Sequence, residues 1–569
     1  MPVDARRFAL TPKLITVLRE GYGVDRLRRD AVAGLTVAIV ALPLAMALAI
    51  ASGASPDKGL ATAVVAGFLI SALGGSRVQV GGPTGAFVVV VFNVIAQHGY
   101  DGLVLATLTA GLMLIAAGYA KLGSLIRYIP HPVITGFTAG IAVIIASSQV
   151  KDFLGLSIDK LPADFIAKWQ AYFSALGSVQ WEALVLGVAS FLLILALRRS
   201  APRLPGFLIA VIAASFVATL LQLPVETIGS RFPDLPTGLP APSLPDISWA
   251  KLQAVMPSAF TIAFLAGIEA LLSAVVADGM IGSRHRSNQE LVGQGVANMA
   301  SALFGGLPAT GALARTATNI KAGALTPVAG MLHAIFLLLF MLLASGLMAY
   351  VPLAALAAIL FVVAWGMSEH ERFMRLLRMP GGDRALLLLT FALTVLVDLT
   401  VAIGVGVTLA SLLFMMRMSR TVAIAGGLDE LSGDMEDERE DVGQRDGLPR
   451  GVEVFRIEGP LFFGVADELL DILRRVGPTP KAVILRMRRV PLLDASGAAA
   501  LEQIVTQACA AGTHIIFSGT QAQPLDMLRR HSLGLNGRQV THRASFTEAL
   551  QLAAAIADPS TDPKGSTLS

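Results

Sequence analysis

Cysteine is nearly missing from this chain: Cys509 is its one representative among 569 residues, so no disulfide framework can form within it. Charge is scarce too, at 15% of residues against 54% hydrophobic, and aromatic residues reach only 6%. A soluble protein of this composition would have to bury well over a dozen all-apolar helices away from water, which excludes that class. The net charge is only +4. Its basic residues sit at the ends of apolar runs rather than along one face, so no nucleic-acid partner is expected. Also missing are a P-loop, a metal-ligand cluster and a nucleophile constellation. Gly404-Val-Gly406 lies in an apolar run and lacks the third glycine and the strand of a dinucleotide site. These absences argue against an enzyme, a metal centre and an organic cofactor.

What the chain has instead is apolar length, with a mean hydropathy of +0.68. Runs of roughly spanning length occur at about 31–51, 59–74, 101–120, 133–150, 181–197, 205–223, 257–278, 288–305, 325–349, 351–367, 384–398 and 400–416. Two shorter runs begin at Pro83 and Pro308. About fourteen segments thus divide seven and seven, and an odd number per half forces the halves into opposite orientation, as an inverted repeat requires. The expected fold is a polytopic α-helical membrane protein carrying a small α/β domain at its end. Its expected divisions are a cytosolic segment at 1–29, a transport domain at 30–418 with repeats at about 30–223 and 257–418, an acidic linker at 419–450, a soluble domain at 451–556 and a disordered tail at 557–569.

Orientation follows from where the basic residues fall. They crowd the first thirty positions, from Arg6 to Arg29, and the run behind them is too long for a signal-peptide core. No cleaved signal is expected, and the N-terminus is placed in the cytoplasm beneath a plasma (inner) membrane. Arg198-Arg199, Arg284-His285-Arg286 and the group from Arg372 to Arg378 then fall in loops on that same side. An even number of segments returns the C-terminus there.

The two short runs carry the chemistry. Gly82-Pro83-Thr84-Gly85-Ala86 and Leu307-Pro308-Ala309-Thr310-Gly311-Ala312 are near echoes, each opening the third segment of its half. The second turns polar after about a dozen residues, about 20 Å of helix, short of a roughly 30 Å hydrocarbon core. Matched short segments interrupted by Gly and Pro point to half-helices meeting at mid-membrane around a substrate site. A helix N-terminus carries roughly half a positive charge and free N–H groups, so two such ends form an anion site, to which Arg315 adds a full charge. The alternative is that these small residues only allow close helix packing. Glu269 lies inside the run at 257–278, and an acid in such a place marks a site by default.

Beyond Arg417 the hydropathy collapses into an acidic stretch around Asp434 to Asp441, which reads as a solvated linker. Strand-like runs at 452–457, 482–485 and 514–517 alternate with helical ones at 465–476 and 498–511, the pattern of a small α/β sandwich.

Together, Gly34-Leu-Thr-Val-Ala-Ile-Val-Ala-Leu-Pro43, the two half-helix motifs, Asn288-Gln-Glu-Leu-Val-Gly-Gln-Gly295 and Leu492-Leu-Asp494-Ala-Ser496-Gly497 resemble the SulP (sulfate permease) anion transporters with a C-terminal STAS domain. The resemblance covers about residues 25–556. It implies a core domain that carries the substrate, a gate domain, and a homodimer in the lipid bilayer. Thr84, Gly85 and Ala86 match the substrate-binding start of the third segment; Ala312, Leu313 and Ala314 match amide donors at the start of the tenth, beside Arg315. Glu269 matches the acidic position linked to cation or proton coupling, and Ser273 a hydroxyl near a sodium site in the bicarbonate branch. Asp494 and Ser496 match a regulatory loop where a cytosolic partner would act. Asp494 also fits a helix cap. Two positions depart from the pattern: Leu44 follows Pro43 where many sulfate-transporting members have Gln, and residue 269 is Glu where the bicarbonate branch has Asp.

The implied function is symport of a small inorganic anion, sulfate by family default, with Na+ or H+ as the coupling ion. An ionised Glu269 about 8 Å from the anion, at an effective dielectric near 20, repels it by about 2 kcal/mol, roughly 30-fold in affinity; a proton or cation on the acid removes that penalty. The alternatives are a permanent Glu269–Arg315 ion pair with a structural role, a bicarbonate or C4-dicarboxylate symporter, and an anion channel or a sensor signalling through the STAS domain.

Overall fold

The computed structural model describes residues 10–124, 130–158, 161–162, 164–201, 204–233, 238–379, 381–397, 399–419, 423–426, 448–462, 480–531, 537 and 539–558. The chain divides into two compact units, Met1–Leu409 and Ala410–Ser569.

In lipid a spanning segment must satisfy its own backbone polar groups, so the apolar runs become helices. They are α1 (Lys13–Arg19), α2 (Val24–Ala51), α3 (Pro56–Leu73), α4 (Ala86–Tyr119), α5 (His131–Leu154), α6 (Phe165–Ser174), α7 (Trp181–Ser200), α8 (Gly206–Leu220), α9 (Ile228–Arg231), α10 (Trp249–Ile281), α11 (Ser287–Leu303), α12 (Leu313–Lys321), α13 (Val328–Met348), α14 (Leu353–Met367), α15 (His370–Leu377), α16 (Gly381–Leu396) and α17 (Leu399–Ser419). Among the described residues, eight stretches of helix are long and apolar enough to cross a membrane. The run expected at 101–120 and the half-helix after Pro83 join end to end as α4, with a break at Gly99, whose φ of 69° suits glycine. The short helices α1, α6, α9 and α15 were not anticipated, because amphipathic pieces of one to three turns leave little trace in a hydropathy pattern.

The packing obeys a two-fold relation between halves. α2 packs on α13 as α10 packs on α4; α3 packs on α13 as α11 packs on α4; and α16 packs on α5 as α7 packs on α14. This inverted repeat separates a core of α2–α4 and α10–α13 from a gate built on α5, α7, α8, α14 and α16. At its centre two-residue strands, β1 (Gly81–Gly82) and β2 (Thr310–Gly311), pair antiparallel with Gly81 opposite Gly311 and Gly82 opposite Thr310.

The second unit holds a five-stranded sheet, β3 (Ala423–Gly426), β4 (Val452–Glu458), β5 (Ala482–Arg489), β6 (His514–Ser518) and β7 (Val540–Arg543), in that spatial order. β3 is antiparallel to β4 and the rest run parallel. Alternation along the strands sends Phe455, Leu485 and Phe517 to one face against Leu501 of α18 (Ala495–Ala510) and Leu528 of α19 (Ala522–Arg530). Val454, Ile484 and Ile516 face the other side, against Ala549 and Ala553 of α20 (Phe546–Ala557). The linker expected at 419–450 is corrected at one place: four of its residues add β3 as an edge strand, since Ala423-Ile-Ala-Gly426 can satisfy its backbone against β4. The expected tail at 557–569 is corrected at its start, since Ala557 closes α20; the helix expected at 465–476, the acidic run and residues 559–569 lie outside the described residues.

Asp494 caps α18, its Oδ1 accepting from the Gly497 N–H at 2.7 Å, while Ser496 is exposed on the first turn. Asp494→Ala is expected to cost about 1 kcal/mol, seen as roughly five-fold faster amide exchange at the start of α18.

Candidate anion site

Non-helical backbone deep in a membrane protein survives only where every polar group finds a partner. The strands and loops around Gly81 and Gly311 meet that demand with neighbouring side chains. Asn298 donates to the Ala309 carbonyl and accepts from its N–H, both at 2.8 Å. Thr62 accepts from the Leu307 N–H at 2.6 Å, Thr310 donates to the Ala266 carbonyl at 2.8 Å, and Gln79 donates to the Ala270 carbonyl at 2.9 Å. Thr316 accepts from the Val80 N–H at 3.1 Å, and Asn319 donates to the Val78 carbonyl at 2.9 Å. The glycines are required by this crowding: a Cβ on Gly311 would fall 1.5 Å from Gln79 Nε2, and one on Gly82, at φ 146°, 2.3 Å from Arg315 Nη1. Gly311→Ala should therefore lower the apparent melting temperature by several degrees, as overpacking by about 1–3 kcal/mol does. Thermal unfolding in detergent measures it.

This frame sets the N-termini of α4 and α12 beside each other. The amides of Gly85 and Ala86 on one side, and of Leu313 and Ala314 on the other, have no acceptor among the described residues. The amide of Ala312 differs: it donates to the Val80 carbonyl at 2.9 Å and extends the β1–β2 ladder. Ala312 is thus removed from the expected set of free donors, because it is still extended, the N-cap residue between β2 and α12, and its amide continues the line of the ladder. Leu313 is 48% exposed and Ala314 is exposed as well, whereas Gly85 and Ala86 are buried. Gly85 lies against the gate, its Cβ position 2.6 Å from Met367 Sδ of α14 and 3.0 Å from Ile145 Cδ1 of α5.

Arg315 is 3% exposed. Its Nη2 donates to the Pro83 carbonyl at 2.6 Å, tying one half-helix to the other, while Nε and Nη1 are buried without a hydrogen-bond partner. Glu269, half-buried on α10, accepts from the Thr84 hydroxyl at 2.8 Å. Arg315 and Glu269 therefore each have another partner and form no ion pair, contrary to the structural alternative. Ser273, fully buried one turn along α10, donates to Thr316 at 3.2 Å and so braces the loop at Val80. The signals sequence reasoning passed over were the buttressing amides, Gln79 and Asn298; polar residues in apolar runs flag them. Among the described residues, no group of three or more His, Cys, Asp or Glu is placed to hold a metal ion.

Paired half-helices at the centre of two inverted sets of segments, with open amides and a buried cation between them, define a membrane anion transporter. Residues 27–390 match the sulfate permease family and residues 448–537 the STAS domain. The chain belongs to the sulfate permease (SulP) family. It is 42% identical over 518 residues to "Putative sulfate transporter YvdB" of Bacillus subtilis, covering 91% of this chain and 95% of that one. It is 31% identical over 522 residues to the bicarbonate transporter BicA of Picosynechococcus, covering 89% and 91%. The fold is also that of the murine solute carrier 26 family member A9 anion transporter solved in an inward-facing state, with a TM-score of 0.84 at 18% identity over 97% of this chain and 95% of that one.

Proposed function

We propose that this protein is a secondary active transporter of a sulfate-class inorganic anion, driven by protons or sodium through Glu269. The observation that carries this reading is the Thr84–Glu269 hydrogen bond at the mouth of the α4 half-helix. One hydroxyl proton cannot serve both the carboxylate and an incoming anion. While Glu269 is ionised it holds that proton and repels the anion; once neutralised by a proton or a bound cation it gives up the claim, and Thr84 turns to the substrate with the amides of Gly85, Ala86, Leu313 and Ala314 and the free edge of Arg315. Anion and coupling ion then favour each other reciprocally. Transport moves the core, with its site, against Ile145 and Met367 of the gate.

The basic loops support an orientation with both termini in the cytoplasm of a plasma-membrane protein. A homodimer and a cytosolic regulator acting at the exposed Ser496 complete the reading. Bicarbonate is the second substrate reading, favoured by the relationship to BicA, with a C4-dicarboxylate behind it. Uptake of labelled sulfate, bicarbonate and fumarate into proteoliposomes under an imposed proton or sodium gradient tests all of these. One anion accumulating only under a gradient supports symport; flux that neither saturates nor responds to a gradient rejects it.

A further inference from the structure

α2 runs from the Arg26–Arg29 cluster to Ala51, so in the orientation proposed above its C-terminal end lies toward the outer membrane face. There Lys168 of α6 lines a cavity of about 110 Å³ whose wall also includes Ala51, Val88, Val89 and Asn93. A second cavity of about 370 Å³ adjoins it and shares Lys151 and Asp152. Three cations line the smaller cavity, and two are committed. Arg231 donates to Asp152 at 2.7 Å and also to Glu226, and Lys151 donates to the Ile158 carbonyl at 2.5 Å.

Lys168 is different. It is only 4% exposed, lines the cavity, and its ammonium has no hydrogen-bond acceptor or ion-pair partner among the described residues. What it has is the ring of Phe92, with Nζ 5.4 Å from the centroid. The acid whose field reaches it is Asp164, which caps α6 by accepting from the Ala167 N–H at 3.0 Å and makes no ion pair with it. Burial lowers the Lys168 pKa, as expected of an ammonium short of water and counter-ion. Its position is held by its neighbours: Trp169 donates to the Ser147 hydroxyl at 3.0 Å and Tyr172 to the Ser147 carbonyl at 2.8 Å, which fasten α6 to α5. A buried charge that has only an aromatic ring and a neighbouring acid's field beside it is costly to keep, and an arriving anion relieves that cost.

We propose that this cavity is an outer loading site for a small anion, with Lys168 as its cationic ligand and the Asn93 amide as a second donor. That the anion is the transported one rests on the function proposed above. Val88 and Val89 stand two and three residues beyond Ala86, about 3–5 Å along α4 from the half-helix start, so the loading site adjoins the central one.

The test uses the full chain with Cys509→Ser and Ala51→Cys, labelled from outside by an anionic sulfonatoethyl or a cationic trimethylammonioethyl thiosulfonate. With Lys168 present, the anionic reagent should react about ten-fold faster than the cationic one, and millimolar external sulfate or bicarbonate should slow both. Lys168→Gln should abolish the charge preference and weaken the protection about ten-fold; Lys168→Arg should restore most of it. In uptake assays Lys168→Gln should lower kcat/KM by a similar factor with little change in kcat. Equal labelling by both reagents, unprotected by either anion, overturns the loading site even where transport is intact. Protected, Lys168-dependent labelling in a protein that carries no anion keeps the site and overturns the transport reading instead.

Discussion

Arg315→Met is expected to weaken anion binding about 100-fold while leaving the protein folded. The guanidinium is spoken for at one corner only, where Nη2 meets the Pro83 carbonyl; Nε and Nη1 are buried with nothing to bond. Two charge-assisted hydrogen bonds to an anion, at about 1.5 kcal/mol each, sum to about 3 kcal/mol, which is the predicted loss. Arg315→Lys should recover little of it, because a single ammonium cannot span the Pro83 carbonyl and the substrate together. Titration calorimetry on detergent-solubilised protein reads the affinity, and a melting temperature within a few degrees of the native value certifies the fold. An unchanged affinity would reduce Arg315 to a strut between the half-helices.

Glu269→Gln should abolish concentrative uptake while anion exchange continues. The amide still accepts the Thr84 hydroxyl proton, so the local geometry survives, but it neither ionises nor takes up a proton. The repulsion of about 2 kcal/mol that the ionised acid imposes disappears, and anion affinity in the absence of a gradient should rise by up to roughly 30-fold. Native protein under a one-unit proton gradient can sustain about ten-fold accumulation per coupled proton, since each tenfold ratio is worth about 1.4 kcal/mol. The variant should equilibrate the anion at a ratio near one. Parallel measurements of net uptake and of exchange in the same proteoliposomes separate coupling from damage: a variant that still accumulates its anion removes Glu269 from the coupling step, and one that loses both activities points to a structural role.

Much of the architecture was legible in the chain because lipid leaves so few options. A run of apolar residues has to be a helix, its length says whether it crosses, and the repeated Pro-Thr-Gly-Ala chemistry at Pro83 and Pro308 marks where two helices stop short. The acid at 269 and the cation at 315 were visible for the same reason, as charges in costly surroundings. Three of the soluble domain's five strands were legible as short apolar or alternating runs, though not β3, β7 or the pairing, and the Asp494 cap was legible from its place before a helix.

What hydropathy could not show was which groups meet. Thr84 and Glu269 are 185 positions apart and Arg315 and Pro83 are 232 apart, so their pairing exists only once the two halves are interleaved. The same closure spends the Ala312 amide on Val80, gives Glu269 and Arg315 separate partners, and brings the ammonium of Lys168, on a short helix with no hydropathy signal, over the ring of Phe92. The sequence by itself determined that this is an inverted-repeat membrane protein with two half-helices and an anion-compatible centre, because the cost of burying backbone and charge in lipid is a local property of the chain. The tertiary structure alone decided which amides stay open and which buried ammonium has no acceptor among the described residues, because a hydrogen bond is settled within 3 Å of space by residues hundreds of positions apart.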